Sequence, residues 1–102
     1  MQVILCDFDG TLVTNAYPGT GAPVEKMVKV IRAHLAFGDT VRIFTNRADR
    51  ESDCVPVRAF CLEHFGKELD ITNMKTRDVT VIYDDIAIQV IRDTGELVGI
   101  DR

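Results

Sequence analysis

Short runs of apolar, β-prone residues alternate along this chain with segments whose apolar residues recur at helical spacing. The runs are residues 3–6, 41–44 and 79–83. Strands that alternate with helices form a parallel sheet, because each helix carries the chain back to the start of the next strand. The crossovers in such sheets are right-handed in nearly all cases. The sequence therefore predicts an α/β fold, a doubly wound parallel sheet flanked by helices, in one domain that covers residues 1–102.

Two segments have the spacing of amphipathic helices. In the first, Pro23 suits an opening turn, Gly38 suits an end, and the apolar residues between them recur at helical intervals. In the second, Ser52 can cap the N-terminus and Gly66 can end the helix. Residues 12–22, before the first helix, are rich in turn formers and are predicted to form a loop or a small flap.

The segment that follows the third strand allows two interpretations. Residues 86–94 can form a short helix that ends at Gly95, or a strand that turns at Asp93 and Thr94. We predict the helix, followed by a last strand over residues 96–100. The strand interpretation of residues 86–94 stays open at this point.

Composition restricts the class of protein. Of the 102 residues, 46% are hydrophobic and 27% are charged, which is typical of a globular domain with one core. The apolar runs fall far short of the roughly 20 residues that span a bilayer, and the N-terminus lacks a signal-peptide pattern. Three cysteines without metal-binding spacing predict reduced thiols and a cytoplasmic protein without a membrane partner. A net charge of -4 argues against a broad nucleic-acid-binding surface.

Polar and charged residues directly follow each of the three predicted strands. Parallel sheets bind ligands at the carboxyl ends of their strands, so these residues are expected to meet at one edge. Clustered carboxylates repel one another unless a divalent cation lies among them, and an oxygen-rich site suits Mg²⁺. The residues at this edge are Asp7, Asp9, Thr45, Asn46, Arg47, Asp84 and Asp85.

The spacing within the first of these groups has a physical reason. Asp7 and Asp9 point to the same side if the strand geometry continues, while Phe8 between them points into the core. Gly10 lets the backbone approach a ligand closely, and Thr11 can fix the turn by hydrogen bonding. One carboxylate of such a pair can bind metal and attack, while its neighbour moves protons.

Four motifs in this sequence resemble those of the haloacid dehalogenase superfamily of phosphohydrolases. DFDGTLV is similar to the first motif, FTNR to the second and YDD to the acidic fourth, and Lys75 resembles the lysine of the third. The motifs occur in the family's order between residues 3 and 85. The resemblance implies a Rossmann-like core. Neither residues 12–22 nor the stretch between Arg47 and Lys75 is long enough for a cap domain, so the chain resembles a minimal, capless member.

The resemblance implies a catalytic role for four residues. Asp7 would attack phosphorus and form an aspartyl-phosphate, and Asp9 would protonate the leaving oxygen and then take a proton from water. Thr45 and Lys75 would meet the charge of the transferring phosphoryl group, with assistance from Arg47.

The resemblance also implies a cofactor and a substrate contact surface. Mg²⁺ would be held by Asp7, by Asp9 through its backbone carbonyl, by Asp84, and by Asp85 directly or through water. Three residues of the first two motifs would contact substrate, namely Gly10, Asn46 and Arg47.

The predicted activity is Mg²⁺-dependent hydrolysis of a phosphomonoester, on a small molecule or a macromolecular end. YDDIAIQVI is similar to a segment of the phosphatase domain of polynucleotide kinase/phosphatases, so nucleic acid enters as a candidate substrate, alongside nucleotides and metabolites. Arg50 and Arg77 could attract such a polyanion. A phospho-accepting module that resembles a receiver domain, and a non-catalytic binding protein that kept the fold, are the alternatives. The oligomeric state cannot be read from the sequence.

Overall fold

The computed structural model describes residues 1–99, which form an all-parallel sheet flanked by two helices. The predicted fold class, a parallel α/β sheet of Rossmann-like type, is thereby confirmed. The strand order is β3-β2-β1-β4. In chain order the elements are β1 (Val3–Asp7), α1 (Glu25–Phe37), β2 (Thr40–Phe44), a short 3-10 helix (Asn46–Asp49), α2 (Glu51–Phe65), β3 (Asp70–Thr72) and β4 (Val79–Tyr83).

The core lies between the helices and one face of the sheet. Alternate residues of β1 point to that face, so Ile4 and Cys6 are fully buried against both helices, while Leu5 faces the other side. Both helices contribute to the same cluster, which places α1 and α2 on one side of the sheet. Its helical members are Val28, Ile31, Val57, Phe60 and Cys61.

The register of the central strand sets the position of the site. In β1, Asp7 pairs with Phe44 of β2, and Cys6 pairs with Tyr83 of β4. The residues that follow these partners, Thr45 and Asp84, therefore leave the sheet at the same edge as Asp7. The predicted convergence of strand ends follows directly from this pairing.

Several sequence-based predictions of element boundaries need correction. Strand β3, a three-residue edge strand, was not predicted from the sequence. Helix α2 begins at Glu51 with Arg50 at the N-cap and no side-chain cap, so Ser52 lies inside the helix and does not cap it. Both helices do end as predicted, at glycines in the left-handed conformation, Gly38 and Gly66. Among residues 1–99, no helix is long and apolar enough to cross a membrane.

The described part of the segment after β4, residues 84–99, forms no helix. Residues 92–94 form a turn, and an antiparallel bridge joins Val90 to Leu97, so the prediction of a helix over residues 86–94 was wrong. The alternative, a chain reversal at Asp93 and Thr94, is closer to the structure. The predicted last strand is reduced to the bridge at Leu97, and its final residue, Ile100, lies outside the described residues.

A hydrogen-bonded chain ties α1 to the sheet. The Oδ2 atom of Asp39 lies 2.7 Å from Nδ1 of His34, and Nε2 of His34 lies 2.9 Å from the Tyr83 hydroxyl of β4. The backbone N–H of Gln2 donates to Oδ1 of Asp39 at 2.9 Å. The Asp39 side chain is only 2% exposed, and these donors, the Gln2 amide first, hold the pKa of Asp39 below its usual value.

Replacement of Asp39 by Asn should lower the melting temperature near neutral pH. A carboxyl group with a lowered folded pKa contributes stability above its unfolded pKa of about 3.9 and loses that contribution as pH falls through the folded pKa. The difference between wild type and Asp39→Asn should therefore shrink as pH falls below about 4. Thermal melts across this pH range test the prediction, with the exposed Asp70→Asn as control; an unchanged difference at all pH values would contradict it.

Candidate functional site

An open cavity of about 610 Å³ lies at the carboxyl ends of the strands. All seven residues that were predicted to meet at this edge line it, together with residues of the flap and of the segment after β3. The lining consists of Asp7, Asp9, Asn15, Tyr17, Phe44, Thr45, Asn46, Arg47, Asn73, Asp84, Asp85 and Ile86. Its volume falls within the range of about 300–1,000 Å³ that small-molecule sites occupy.

Three carboxylates meet at the floor of this cavity. One oxygen from each of Asp7, Asp84 and Asp85 lies within 4.8 Å of the others. The Thr11 hydroxyl donates a hydrogen bond to Oδ2 of Asp7 at 3.1 Å, and the Ile86 N–H donates to Oδ1 of Asp84. These bonds fix the directions of two of the three carboxylates.

The cluster changes the protonation of its own members. Burial raises the pKa of Asp7 to about 7, and the hydrogen bond with Asp85 and the charge of Asp84 act in the same direction. The same hydrogen bond lowers the pKa of Asp85. Without a cation, a proton is therefore held more tightly by Asp7 and less tightly by Asp85, because three like charges at this separation cannot all be ionised cheaply.

The donor set of this cluster fits a hard divalent cation. Magnesium binds oxygen ligands at about 2.0–2.1 Å in octahedral geometry, which sets its ligand oxygens roughly 3–4 Å apart. One oxygen from each of Asp7, Asp84 and Asp85 lies within 4.8 Å of the others, a limit that is compatible with this spacing. An open cavity above them leaves room for water and substrate as the remaining ligands.

Gly10 is what allows Asp85 to approach the first motif. Its φ angle is +89°, and a Cβ atom at this position would lie 2.6 Å from Oδ2 of Asp85. Any other residue would be strained in this backbone conformation and would push the Asp85 carboxylate away. Gly10 thus has a role in placing a carboxylate, and its predicted contact with substrate stays a prediction.

Asp9 does not join the carboxylate cluster. Its two oxygens accept hydrogen bonds from Nε and Nη2 of Arg47, both at 2.8 Å, which makes a bidentate ion pair. The side chains of Arg47 and Asp9 are 1% and 17% exposed. The Asp9 carboxylate lies at the predicted edge of the sheet but is paired with Arg47, and the predicted contribution of the Asp9 backbone carbonyl to a metal site stays a prediction.

Arg47 has no donor left for a substrate. Besides its two bonds to Asp9, its Nη1 donates to the carbonyls of Pro18 and Asp53, and its Nη2 donates to the carbonyl of Gly19 at 2.6 Å. All five N–H groups of a guanidinium are accounted for by these bonds. The predicted contact between Arg47 and substrate is therefore replaced by a structural one, which anchors the flap to the site.

Two aromatic rings complete the surroundings of this guanidinium. Its Cζ atom lies 5.3 Å from the ring centre of Phe8 and 4.9 Å from that of Tyr17, distances at which cation–π attraction operates. The Tyr17 hydroxyl also donates to Oδ2 of Asp53 at 2.9 Å. Tyr17 thus fastens the flap to both Arg47 and α2.

Thr45 and Asn46 line the cavity as predicted. The Thr45 hydroxyl accepts a hydrogen bond from the Arg47 N–H at 3.2 Å and caps the short 3-10 helix. A hydroxyl that accepts one bond keeps its own proton, so Thr45 can still donate to a ligand oxygen. Asn46 is exposed at the rim of the same cavity.

The structure does not bring Lys75 into the cavity. Lys75 is exposed and lines a separate depression with Arg77. Sequence reasoning missed Asn73 and Asn15, which do line the cavity. Asn73 directly follows β3. Had β3 been predicted, Asn73 would have been expected at the carboxyl edge of the sheet, with the residues that follow the other strands.

Comparison with known proteins supports the fold. The chain is similar to a conserved protein coded by a locus of Bacteroides thetaiotaomicron, with a TM-score of 0.66 and 20% identity, over 83% of this chain and 76% of that chain. No protein-family model matches the chain, and no curated protein matches it. Identity this low shows a shared fold alone.

Replacement of Arg47 by Met should destabilise the protein by about 3–5 kcal/mol, because it leaves a partly buried carboxylate without its partner. The flap also loses its anchor. Urea unfolding measures the change, and the exposed Arg50→Met is the control, expected to change stability by less than about 0.5 kcal/mol.

The double variant separates the ion pair from the flap anchor. Adding Asp9→Asn to Arg47→Met removes the unpaired charge and should recover part of the lost stability. If Arg47→Met alone were as stable as Arg50→Met, the ion pair would not hold this site together.

Proposed function

We propose that the protein is a Mg²⁺-dependent phosphohydrolase of the haloacid dehalogenase type, which hydrolyses a phosphomonoester through an aspartyl-phosphate. The observation that carries this proposal is the position of Asp7. Its carboxylate ends the central strand, is oriented by Thr11, and lies with Asp84 and Asp85 on the floor of an open cavity. The matching order of motifs adds support.

In the first step Asp7 is the nucleophile. An oxygen of its carboxylate attacks phosphorus, a phosphorus–oxygen bond forms, and the bond to the leaving oxygen breaks. Thr11 restricts the carboxylate to one orientation by its bond to Oδ2, so the other oxygen is left for attack. In the second step water attacks the same phosphorus, and phosphate and the free Asp7 carboxylate are released.

Asp9 is the group in this cavity that exchanges protons with the leaving oxygen and with water. The leaving oxygen takes a proton in the first step, and the attacking water gives one up in the second. Asp9 gives the first proton and recovers it from the attacking water, and the bidentate contact with Arg47 fixes the direction of its carboxyl group. Arg47 acts on the reaction through Asp9 and is a positioning residue.

The negative charge on the phosphoryl oxygens needs hydrogen-bond donors and a cation. Thr45 offers a hydroxyl proton at the cavity wall. Asp7, Asp84 and Asp85 would hold Mg²⁺, which when bound neutralises charge on the phosphoryl oxygens. The third-motif role of Lys75 stays a prediction, since it rests on the motif alone.

Replacement of Asp7 by Asn should abolish turnover while the fold survives. An amide is nearly isosteric with the carboxylate but cannot form the acyl phosphate, so release of phosphate from an aryl phosphate should fall by roughly a thousandfold or more. The exposed Asp70→Asn is the matched control and should retain activity. Near-normal turnover by Asp7→Asn would remove the covalent mechanism.

Magnesium should stabilise the folded protein. A ligand that binds only the native state at a hundredfold excess over its Kd adds about 2.7 kcal/mol, which raises the melting temperature of a domain this size by roughly 10 °C. Asp84→Asn should reduce this shift. It should also make the metal-free protein no less stable, because one repelling charge is removed.

Gly10→Ala tests the geometry of the metal site without removing a carboxylate. Its added Cβ displaces the Asp85 carboxylate, so the magnesium-induced rise in melting temperature should be lost. Gly66→Ala is the matched control, because Gly66 has a similar φ of +75° but a Cβ there meets nothing within 4 Å. Equal magnesium responses in the two variants would contradict the metal assignment.

A further inference from the structure

We propose that the cavity selects small phosphomonoesters whose leaving group is uncharged and carries hydroxyl groups, of the size of a nucleoside or a sugar, and that it disfavours polyanions. This inference rests on the proposed phosphohydrolase function and adds its substrate class. The charge, the hydrogen-bonding capacity and the size of the cavity support it.

The charge of the cavity wall opposes a second anionic group. Four carboxylates and one guanidinium line it, and that guanidinium is fully bound within the protein. A cation in the floor would compensate for the carboxylates and hold the one phosphoryl group that reacts. A second phosphate would find no further cationic partner in this wall.

The other cations that could attract a polyanion lie outside this wall. Lys75 and Arg77 line a different depression, and Arg50 is exposed but does not line the cavity. Within residues 1–99, Arg47 is thus the only cationic residue of the lining. A chain of phosphates would find no continuous basic track that leads to Asp7.

Three asparagines supply the polar surface that remains. Asn15 accepts a bond from the Tyr17 N–H through Oδ1, which leaves its NH₂ group for a ligand. Asn73 donates from Nδ2 to Oδ1 of Asp49 at 2.6 Å, which leaves its carbonyl oxygen as an acceptor. Asn46 offers both groups. A ligand that both donates and accepts at several points without charge, as sugar hydroxyls do, matches this set.

Apolar and aromatic surface lies beside these amides. Phe44, Ile86 and the ring of Tyr17 line the cavity and can cover the uncharged faces of a ring system. The flap that carries Asn15 and Tyr17 is fastened by Arg47 and by Asp53. The flap, held in place by these bonds, forms one wall of the cavity.

Relative values of kcat/KM test this inference. The substrates are 4-nitrophenyl phosphate as reference, a nucleoside 5'-monophosphate, a hexose phosphate, and an oligonucleotide with a 3'-phosphate, each with Mg²⁺ at low and high salt. We expect the nucleoside or the hexose phosphate to exceed the oligonucleotide by about tenfold or more, with little salt dependence, because one phosphoryl group is bound.

Variants of the amides show whether the cavity wall makes this selection. Asn15→Ala, Asn46→Ala and Asn73→Ala should each reduce kcat/KM for the preferred substrate relative to 4-nitrophenyl phosphate by about three- to tenfold, mostly through KM, as expected for one lost hydrogen bond. Gln89→Ala, an exposed amide outside the cavity, is the control and should leave the ratio unchanged.

The outcomes distinguish this inference from the function on which it rests. No Mg²⁺-dependent hydrolysis of any substrate would overturn both. Hydrolysis with a higher, salt-sensitive kcat/KM for the oligonucleotide, reduced by Arg50→Ala with Arg77→Ala, would overturn the substrate class and leave the function standing. Ratios of kcat/KM that stay unchanged in the three asparagine variants would also overturn the substrate class.

Discussion

The ion pair between Arg47 and Asp9 is the interaction on which the arrangement of this site depends. Four carboxylates gather at one edge of the sheet, and one buried guanidinium neutralises one of them through two hydrogen bonds of 2.8 Å. The same guanidinium binds the carbonyls of Pro18 and Gly19 and so holds the flap. One side chain therefore divides the acids into a paired one and three unpaired ones, and closes one wall of the cavity.

The three unpaired carboxylates give the site its chemistry. The parallel register of β1 with β2 and β4 forces Asp7 and Asp84 together, and Gly10 admits Asp85. Their repulsion costs stability that the apolar core beneath must supply, and it adds to the effect of burial, which raises the pKa of Asp7. A divalent cation bound here would relieve this repulsion and free the Asp7 carboxylate for the nucleophilic role proposed for it, which links the electrostatics of the sheet edge to the proposed reaction.

The sheet and most of the cavity could be predicted from the sequence, because the ends of strands and the glycines that end helices are recognisable from local patterns. The sequence could not reveal the role of Arg47, because four of its five side-chain hydrogen bonds go to the flap and the first motif, 28 to 38 residues away. Strand β3 was not predicted because it is three residues long and has one strongly apolar member, Ile71. The helix predicted over residues 86–94 failed because its apolar residues find no core to bury them, and Ile86 is 83% exposed.

Direct detection of the acyl phosphate tests the central claim, that Asp7 is the nucleophile. The protein is mixed with a phosphomonoester and Mg²⁺, quenched in acid during turnover, and digested for mass spectrometry. The account predicts that the peptide containing Asp7 gains one phosphoryl group, that fragmentation assigns it to Asp7, and that hydroxylamine removes it. Release of phosphate with no labelled peptide, or with the label on another residue, would contradict the account.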